Sequence, residues 1–351
     1  MCDLLGMSFN MPVRPKFSFK NFRYKDRINP DGWGLAFYPD KSAQVIKEEG
    51  EALKSLLAEK LVEYEYIRSK IIIAHVRAGT EGLGSHKNIH PFQRELNGRE
   101  YVFAHNGDVR EIKQHQGFKL NTFKPLGDTS SEYAFCYILQ VIKDRVIGKW
   151  NDAEFKWLES ELKKINEYGK FNCIFSDGEL LFCYADINQH NHLSFIRRKA
   201  PFGEITLLDL KTSSGERYVN LDAEKDPNQE GFIIATIDRT GKPTDESWEA
   251  FKGGELQVFE NGKKIYPYRT PTTEGEEIMV LRFIRGSSSR VLIEEISNGT
   301  VLSTPRSIEV TKKLFEKGLI RRSPRNLQFD NNAYYCTTEN KRDEIDELIK
   351  R

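Results

Sequence analysis

Two short apolar runs constrain this chain most. Lys70-Ile71-Ile72-Ile73-Ala74-His75-Val76 lacks the alternation of a half-exposed strand, so it reads as a strand buried on both faces. Tyr101-Val102-Phe103-Ala104-His105 reads the same way. Each run leads into polar residues, Arg77-Ala78-Gly79-Thr80 after the first and Asn106-Gly107-Asp108 after the second. A guanidinium at the end of an all-apolar strand is a poor core group unless it is paired. A structural salt bridge accounts for it, and so does a bidentate grip on a ligand carboxylate. Asn106-Gly107 offers a side-chain N–H and a backbone N–H one residue apart, the donor pair that an oxyanion needs. Taken alone, the same dipeptide is the commonest hairpin turn.

The chain opens Met1-Cys2-Asp3-Leu4-Leu5-Gly6. Residues as small as Cys at position 2 generally permit loss of the initiator Met. Cys2 would then carry a thiol nucleophile and a free α-amine on one residue. Such an amine has a pKa of about 7.7–8.0 and can accept the thiol proton near neutral pH. The plain alternative is a chance cysteine at a frayed terminus. The polar runs named above, together with Asp128-Thr129-Ser130-Ser131-Glu132, weigh against it.

The remaining totals set bounds. A chain of 351 residues predicts one large domain with a smaller companion, or two domains. A formal charge of +1 gives no global field to draw the chain to nucleic acid or membrane. No apolar run approaches the roughly 20 residues of a membrane span, and no basic-then-apolar leader is visible. The expectation is a cytoplasmic protein. The five cysteines are odd in number and form no CxxC, which fits a reducing compartment and argues against a disulfide framework or zinc site. Cys136, Cys173 and Cys183 lie in apolar stretches and are expected in the core. The histidines form no HExxH, and no metal or cofactor is expected. His75 and His105 read as satisfied polar residues near a site. His90, before Pro91-Phe92, reads as a loop residue lining a pocket.

Along the chain, strands are expected at 2–9, 31–38 and 43–47, and helical spacing at 52–70. Ser130–Ile142 has a helical pattern, with the run from Asp128 where an N-cap belongs. A second helix is expected at 152–168. Strands follow at Phe171–Phe175, Leu180–Tyr184, Leu193–Arg197 and Phe232–Thr236, closed by 248–259 and 263–268. The domain expectation is 2–265, a linker at 266–276, and a small domain at 277–351. In the last, Arg290–Ile296 and Ser307–Lys317 read as helices and Asn332–Thr338 as one strand of a hairpin, the outline of a winged helix. Lys312, Lys313, Lys317, Arg321, Arg322 and Arg325 give it a basic stretch. A solvated face on a protein–protein module is favoured over a nucleic-acid surface.

The opening Met-Cys-Asp-Leu-Leu-Gly-Met-Ser, Asp31-Gly-Trp-Gly, His75-Val-Arg77, Ile89-His90-Pro91-Phe92 and Ala104-His105-Asn106-Gly107 together resemble the class II glutamine amidotransferases, a family of N-terminal nucleophile hydrolases. Phe171–Gly178 and Arg198–Gly203 resemble it too. The likeness is to the stand-alone amidotransferase-like branch and relatives acting on γ-glutamyl compounds, and covers roughly residues 2–262. It implies an α+β fold, a four-layer αββα sandwich. It implies that Cys2 attacks the side-chain amide of glutamine or a γ-glutamyl compound and forms a γ-glutamyl thioester. Asn106 and Gly107 would form the oxyanion hole and Arg77 would hold the substrate α-carboxylate. Thr80, His90, Asp128 and Ser130 complete the expected substrate-binding set. Where the family's acidic run places a second acid for the substrate α-ammonium, this chain has Ser130, so altered substrate choice is expected. A protein partner receiving ammonia or docking the tail is a further expectation. The rival readings are a non-catalytic sensor or regulator with a winged-helix-like tail, and an interaction scaffold.

Overall fold

A computed structural model describes residues 2–16, 18–19, 22, 31–77, 85–146, 150–208, 216–236, 248–267, 273–300, 302, 304–323 and 334–350. The chain divides into two compact units, Met1–Tyr266 and Pro267–Arg351.

The first unit is mixed α/β and built on antiparallel sheets. One sheet holds, in spatial order, Glu249–Ala250 (β13), Leu193–Arg198 (β9), Gly231–Thr236 (β12), Asp3–Val13 (β1), Ser69–Val76 (β4), Trp33–Phe37 (β2) and Gln44–Glu48 (β3). The other holds Lys263–Tyr266 (β15), Leu256–Glu260 (β14), Leu180–Tyr184 (β8), Lys170–Ser176 (β7), Arg99–Asp108 (β6) and Phe92–Leu96 (β5). Glu204–Leu208 (β10) and Glu216–Asn220 (β11) pair separately.

The unbroken apolar runs follow from what covers each face. In β4, Ile71 and Ile73 join the core between the two sheets, while Ile72, Ala74 and Val76 join a second core on the opposite face. That second core includes Ala58 and Leu61 of helix Leu56–Glu63 (α1). In β6, Val102 and Ala104 face the inter-sheet core, and Tyr101 and Phe103 face a third core. Helices Ser130–Arg145 (α2) and Asp152–Asn166 (α3) cover it through Phe135, Ile138, Leu158 and Leu162. A strand with period two and both faces covered must be apolar at every position. Each fully buried aliphatic side chain contributes about 1.5–3 kcal/mol. Cys136, Cys173 and Cys183 are buried as expected.

Several expected boundaries shift. Helical spacing at 52–70 yields only α1, because Ser69 and Lys70 belong to β4, where Ser69 pairs with Val13 of β1. Asn106-Gly107 is not a turn. Both residues lie inside β6, opposite Asn172 and Phe171 of β7. β5, β10 and β11 were not foreseen, their sequences being too polar or too short to show a period.

The second unit runs through helix Thr273–Gly286 (α4), strand Val291–Leu292 (β16), helices Ile293–Gly299 (α5) and Thr304–Glu316 (α6), strands Ile320–Ser323 (β17) and Tyr334–Thr337 (β18), and helix Arg342–Leu348 (α7). Its sheet order is β16-β18-β17. Thr273–Glu276 is therefore helical rather than linker, while 268–272 lie outside the described residues. The helix expected from Arg290 begins at Ile293, because Val291 and Leu292 pair with Tyr335 and Tyr334. Val280, Ile284, Ile296, Val310, Leu314 and Tyr335 form its core. Buried Glu276 takes Arg306 through two bonds, Nε to Oε1 at 2.9 Å and Nη2 to Oε2 at 2.5 Å.

Candidate active site

Register brings the expected residues to one end of the two sheets. Asp3 pairs with Val76, so Cys2 and Arg77 stand one residue beyond that pair on adjacent strands. Arg77 extends the β2–β4 pairing: its N–H donates to the Gly32 carbonyl at 2.8 Å, and its carbonyl accepts from the Asp31 N–H at 3.1 Å. The start of β1 is held by Thr236. Its hydroxyl accepts from the Leu4 N–H at 3.0 Å and donates to the Asp3 carboxylate at 2.8 Å.

Parity does the rest. Asn106 shares a face with Val102 and Ala104, toward the sheet that carries Cys2. Its Nδ2 donates to the Cys2 carbonyl across the inter-sheet space. Its Oδ1 accepts from Asn191 Nδ2 at 3.1 Å and from Asn172 Nδ2 at 3.5 Å. Asn191 Nδ2 also reaches the Cys2 carbonyl, at 3.3 Å. Gly107 is required where it stands. Its φ is +149°, and a Cβ there would lie 1.9 Å from the Lys170 carbonyl oxygen.

Three histidines are buried beside this end. His75 Nε2 lies 3.1 Å from the His105 carbonyl, and its ring centroid is 4.3 Å from that of His90. His105 Nδ1 meets the Ser131 hydroxyl at 2.8 Å and its Nε2 the Lys170 carbonyl at 3.2 Å. Burial, with the Arg77 charge added, pushes His75 down to about 3. Burial pushes His105 down to about 4 and His90 well below its ordinary value. All three are neutral at neutral pH. Among the described residues His75 is only half satisfied, its Nδ1 lacking a partner, and neither ring nitrogen of His90 has one. His90 is 3% exposed, packed between His75 and Phe92 rather than open in a loop.

The other expected residues take separate positions. Thr129, not Asp128, caps α2, accepting from the Glu132 N–H. Asp128 is exposed, ion-paired to Lys87 at 2.8 Å, with its N–H on Asn88 Oδ1. Lys87 and Asn88 hold its carboxyl below the usual range. Ser130 is buried in the first turn, and its hydroxyl accepts from the Val109 N–H at 3.4 Å, just past the end of β6. Thr80 lies outside the described residues. Sequence reasoning missed Asn172, Asn191 and Asp186. The available signal was a lone Asn in the apolar run Phe171–Phe175. No group of His, Cys, Asp and Glu among the described residues could hold a metal ion.

The sequence profile of the glutamine amidotransferases class-II matches residues 1–280. The chain belongs to the class II glutamine amidotransferases. It is 39% identical to an uncharacterized protein of Methanocaldococcus jannaschii, over 100% of this chain and 97% of that protein. It is 34% identical to YafJ of Escherichia coli, named as a glutamine amidotransferase, over 76% of this chain and all of YafJ. Among solved structures, a predicted glutamine amidotransferase from Pseudomonas aeruginosa superposes with a TM-score of 0.53 at 26% identity, covering 75% of this chain and 99% of that one. The glutamine phosphoribosylpyrophosphate amidotransferase of B. subtilis shares the fold, with a TM-score of 0.50 at 14% identity over 82% of this chain and 59% of its own. This amidotransferase is thus an enzyme of amide C–N bonds, with glutamine amide hydrolysis or transfer as its family's chemistry. No helix among its described residues is long and apolar enough to cross a membrane.

Proposed function

We propose that this amidotransferase cleaves the side-chain amide of a γ-glutamyl compound through Cys2, freed by loss of Met1, on a four-layer αββα frame. The observation that carries the reading is the Asn106 amide donating to the carbonyl of Cys2 itself. A primary amide has two N–H donors, so one remains for a substrate oxyanion beside the nucleophile. Cys2 Sγ attacks the amide carbon as the thiol proton passes to the α-amine, directly or through a water. The oxyanion forms against Asn106 Nδ2 and the Gly107 N–H. Collapse expels ammonia or an amine, which takes the proton and leaves a γ-glutamyl thioester for water to hydrolyse. The neighbouring histidines support the amine as base. With pKa values of about 3 and 4, His75 and His105 are poor proton acceptors near neutral pH.

Arg77 is assigned the substrate α-carboxylate, being a buried cation one residue past the Asp3–Val76 pair. Ser130 and Asp128 support the altered substrate choice. Ser130 offers a hydroxyl already engaged by Val109, and the Asp128 carboxylate is held by Lys87. Free glutamine is therefore a poorer substrate than a γ-glutamyl amide with a substituted or absent α-amine. The second unit reads as a winged-helix-like docking module. Its basic stretch is partly spent on internal pairs, Lys317 with Glu277 and Lys313 with Glu309, which favours a protein over a nucleic acid.

The test is intact mass before and after a diazo-ketone analogue of glutamine. Loss of Met1 with one adduct, absent in Cys2→Ala, is expected. Retained Met1 with no adduct would overturn the reading in favour of a non-catalytic regulator. A clear kinetic preference for free glutamine over N-substituted γ-glutamyl amides would overturn the substrate assignment alone.

A further inference from the structure

We infer that Asn191 is a positioning residue, which with Asn172 fixes the Asn106 amide so that its N–H groups face Cys2. The inference rests on the reading of Asn106 as an oxyanion donor and adds what orients it. An isolated Asn amide can turn over and present oxygen where nitrogen is needed, and an oxygen there would repel the oxyanion. Here the orientation is dictated by groups that cannot reverse.

The chain of bonds starts at a backbone N–H. Asp186 N donates to Asn172 Oδ1 at 2.9 Å, so the Asn172 nitrogen must point the other way. That nitrogen donates to the His190 carbonyl, which can only accept, and to Asn106 Oδ1 at 3.5 Å. The Asn191 nitrogen donates to Asn106 Oδ1 at 3.1 Å and to the Cys2 carbonyl at 3.3 Å. Two donors thus converge on Asn106 Oδ1. Turning this amide over would set three N–H groups against one another and leave the Cys2 carbonyl facing an oxygen. Asn191 also holds the main chain of the nucleophile, so one side chain couples both partners of the reaction.

The loop that presents Asn191 is built for a fixed position. Asp186, 1% exposed, accepts from the N–H groups of Asn188 at 2.9 Å and His190 at 3.1 Å. Its other oxygen accepts from the Phe171 N–H and from Asn166 Nδ2, both at 2.8 Å. Asn191 has a φ of +52°, a region that Asn tolerates better than most residues. Two substitutions therefore separate the side chain from the backbone. Asn191→Gly removes the amide with no backbone penalty. Asn191→Asp keeps the shape and the φ, but turns a donor into an acceptor facing Asn106 Oδ1, which favours the reversed amide.

The experiment measures kcat and KM on a γ-glutamyl amide for both variants, in the parent and in an Asn106→Ala background. Loss of an oxyanion donor is worth about 10²–10³ in rate, so Asn191→Asp should lower kcat about 10²-fold with KM within about threefold. Asn191→Gly should lose roughly tenfold, since Asn172 still donates to Oδ1. In Asn106→Ala, each substitution should cost several-fold less than in the parent, because only the Asn191 bond to the Cys2 carbonyl is left to lose. Losses that multiply across the two backgrounds would mark a merely structural role and overturn the inference. A second readout needs no substrate: proton exchange at the Asn106 side-chain amide, followed by ¹⁵N NMR and assigned with Asn106→Ala. Exchange should accelerate at least about tenfold in Asn191→Gly, as expected when a paired amide is released. Unchanged exchange would overturn the inference. If the parent gives neither turnover nor a Cys2 adduct, the proposed function falls, and amide exchange still decides this one.

Discussion

Acid should destabilise the first unit steeply, and His105 shows how much one buried imidazole contributes. Its ring is enclosed between Ser131 and the Lys170 carbonyl, with Phe171 at 4.8 Å between centroids. Burial lowers it from an ordinary 6.5 to about 4. The folded state therefore binds fewer protons than the unfolded chain between those values, and stability must fall as pH falls through that window. Between pH 7 and pH 5 the unfolded histidine becomes almost fully protonated while the folded one stays neutral, a loss of about 2 kcal/mol. His75, held at about 3, should lose a similar amount over the same interval. The assay is urea unfolding at pH 7 and pH 5, read by tryptophan fluorescence. All four tryptophans lie before residue 267, so the signal belongs to the first unit. In His105→Gln the pH-dependent loss should shrink by about 2 kcal/mol, whatever the variant's stability at pH 7, because carboxylates contribute equally to both proteins. An identical loss in parent and variant would refute the argument that His105 is held neutral by burial.

Three further outcomes follow from single contacts. Gly107→Ala places a methyl 1.9 Å from a backbone oxygen and should abolish folding or lower Tm by more than 10 °C, whereas Gly50→Ala, with φ +88° and open space, should lose only about 1–2 kcal/mol. Comparable Tm values for the two would contradict the close approach of β6 to β7. Arg306→Met strands the buried Glu276 carboxylate and should destabilise the second unit by about 3–5 kcal/mol, visible as faster proteolysis within residues 273–350. Proteolysis at the parental rate would show that the pair is dispensable. Ser130→Asp should raise kcat/KM for free glutamine relative to an N-substituted γ-glutamyl amide by at least tenfold, as expected for a new charge-assisted bond of roughly 1.5–3 kcal/mol. An unchanged ratio would remove Ser130 from the specificity argument.

What the sequence made legible was whatever a strand's period expresses. The apolar runs 70–76 and 101–105 announced strands covered on both faces, and the residues closing them announced a site. The paired sheets meet the first expectation, through Ile71 and Ile73 on one face of β4 and Ile72 and Ala74 on the other. The helix boundary at 52–70 was illegible because Ser69 answers to Val13 across the sheet rather than to local spacing. Asn106-Gly107 read both as a donor pair and as a turn, and the structure overturns the turn. Only the pairing with Asn172 and Phe171 distinguishes the two, and pairing is a property of distant sequence.

Asn191 marks the limit of such reading. It lies 85 residues from Asn106 and 189 from Cys2, in a polar loop whose composition looks like any solvated connection. What gives it a task is a carboxylate at Asp186 that gathers four N–H groups and sets the loop against the strand ends. Period two then carries the argument across the sheets. Asn106 and Asn172 lie at even positions on β6 and β7, and Cys2 immediately precedes β1; the even residues of these strands, Val102, Ala104, Ile174 and Leu4, fill the inter-sheet core. The same alternation that packs the core therefore turns the Asn106 and Asn172 side chains toward one another where the core ends, with Asn106 reaching the Cys2 carbonyl. The placement of Asn106 opposite the Cys2 carbonyl is set by strand register, which a one-residue slip in β1 or β6 would destroy.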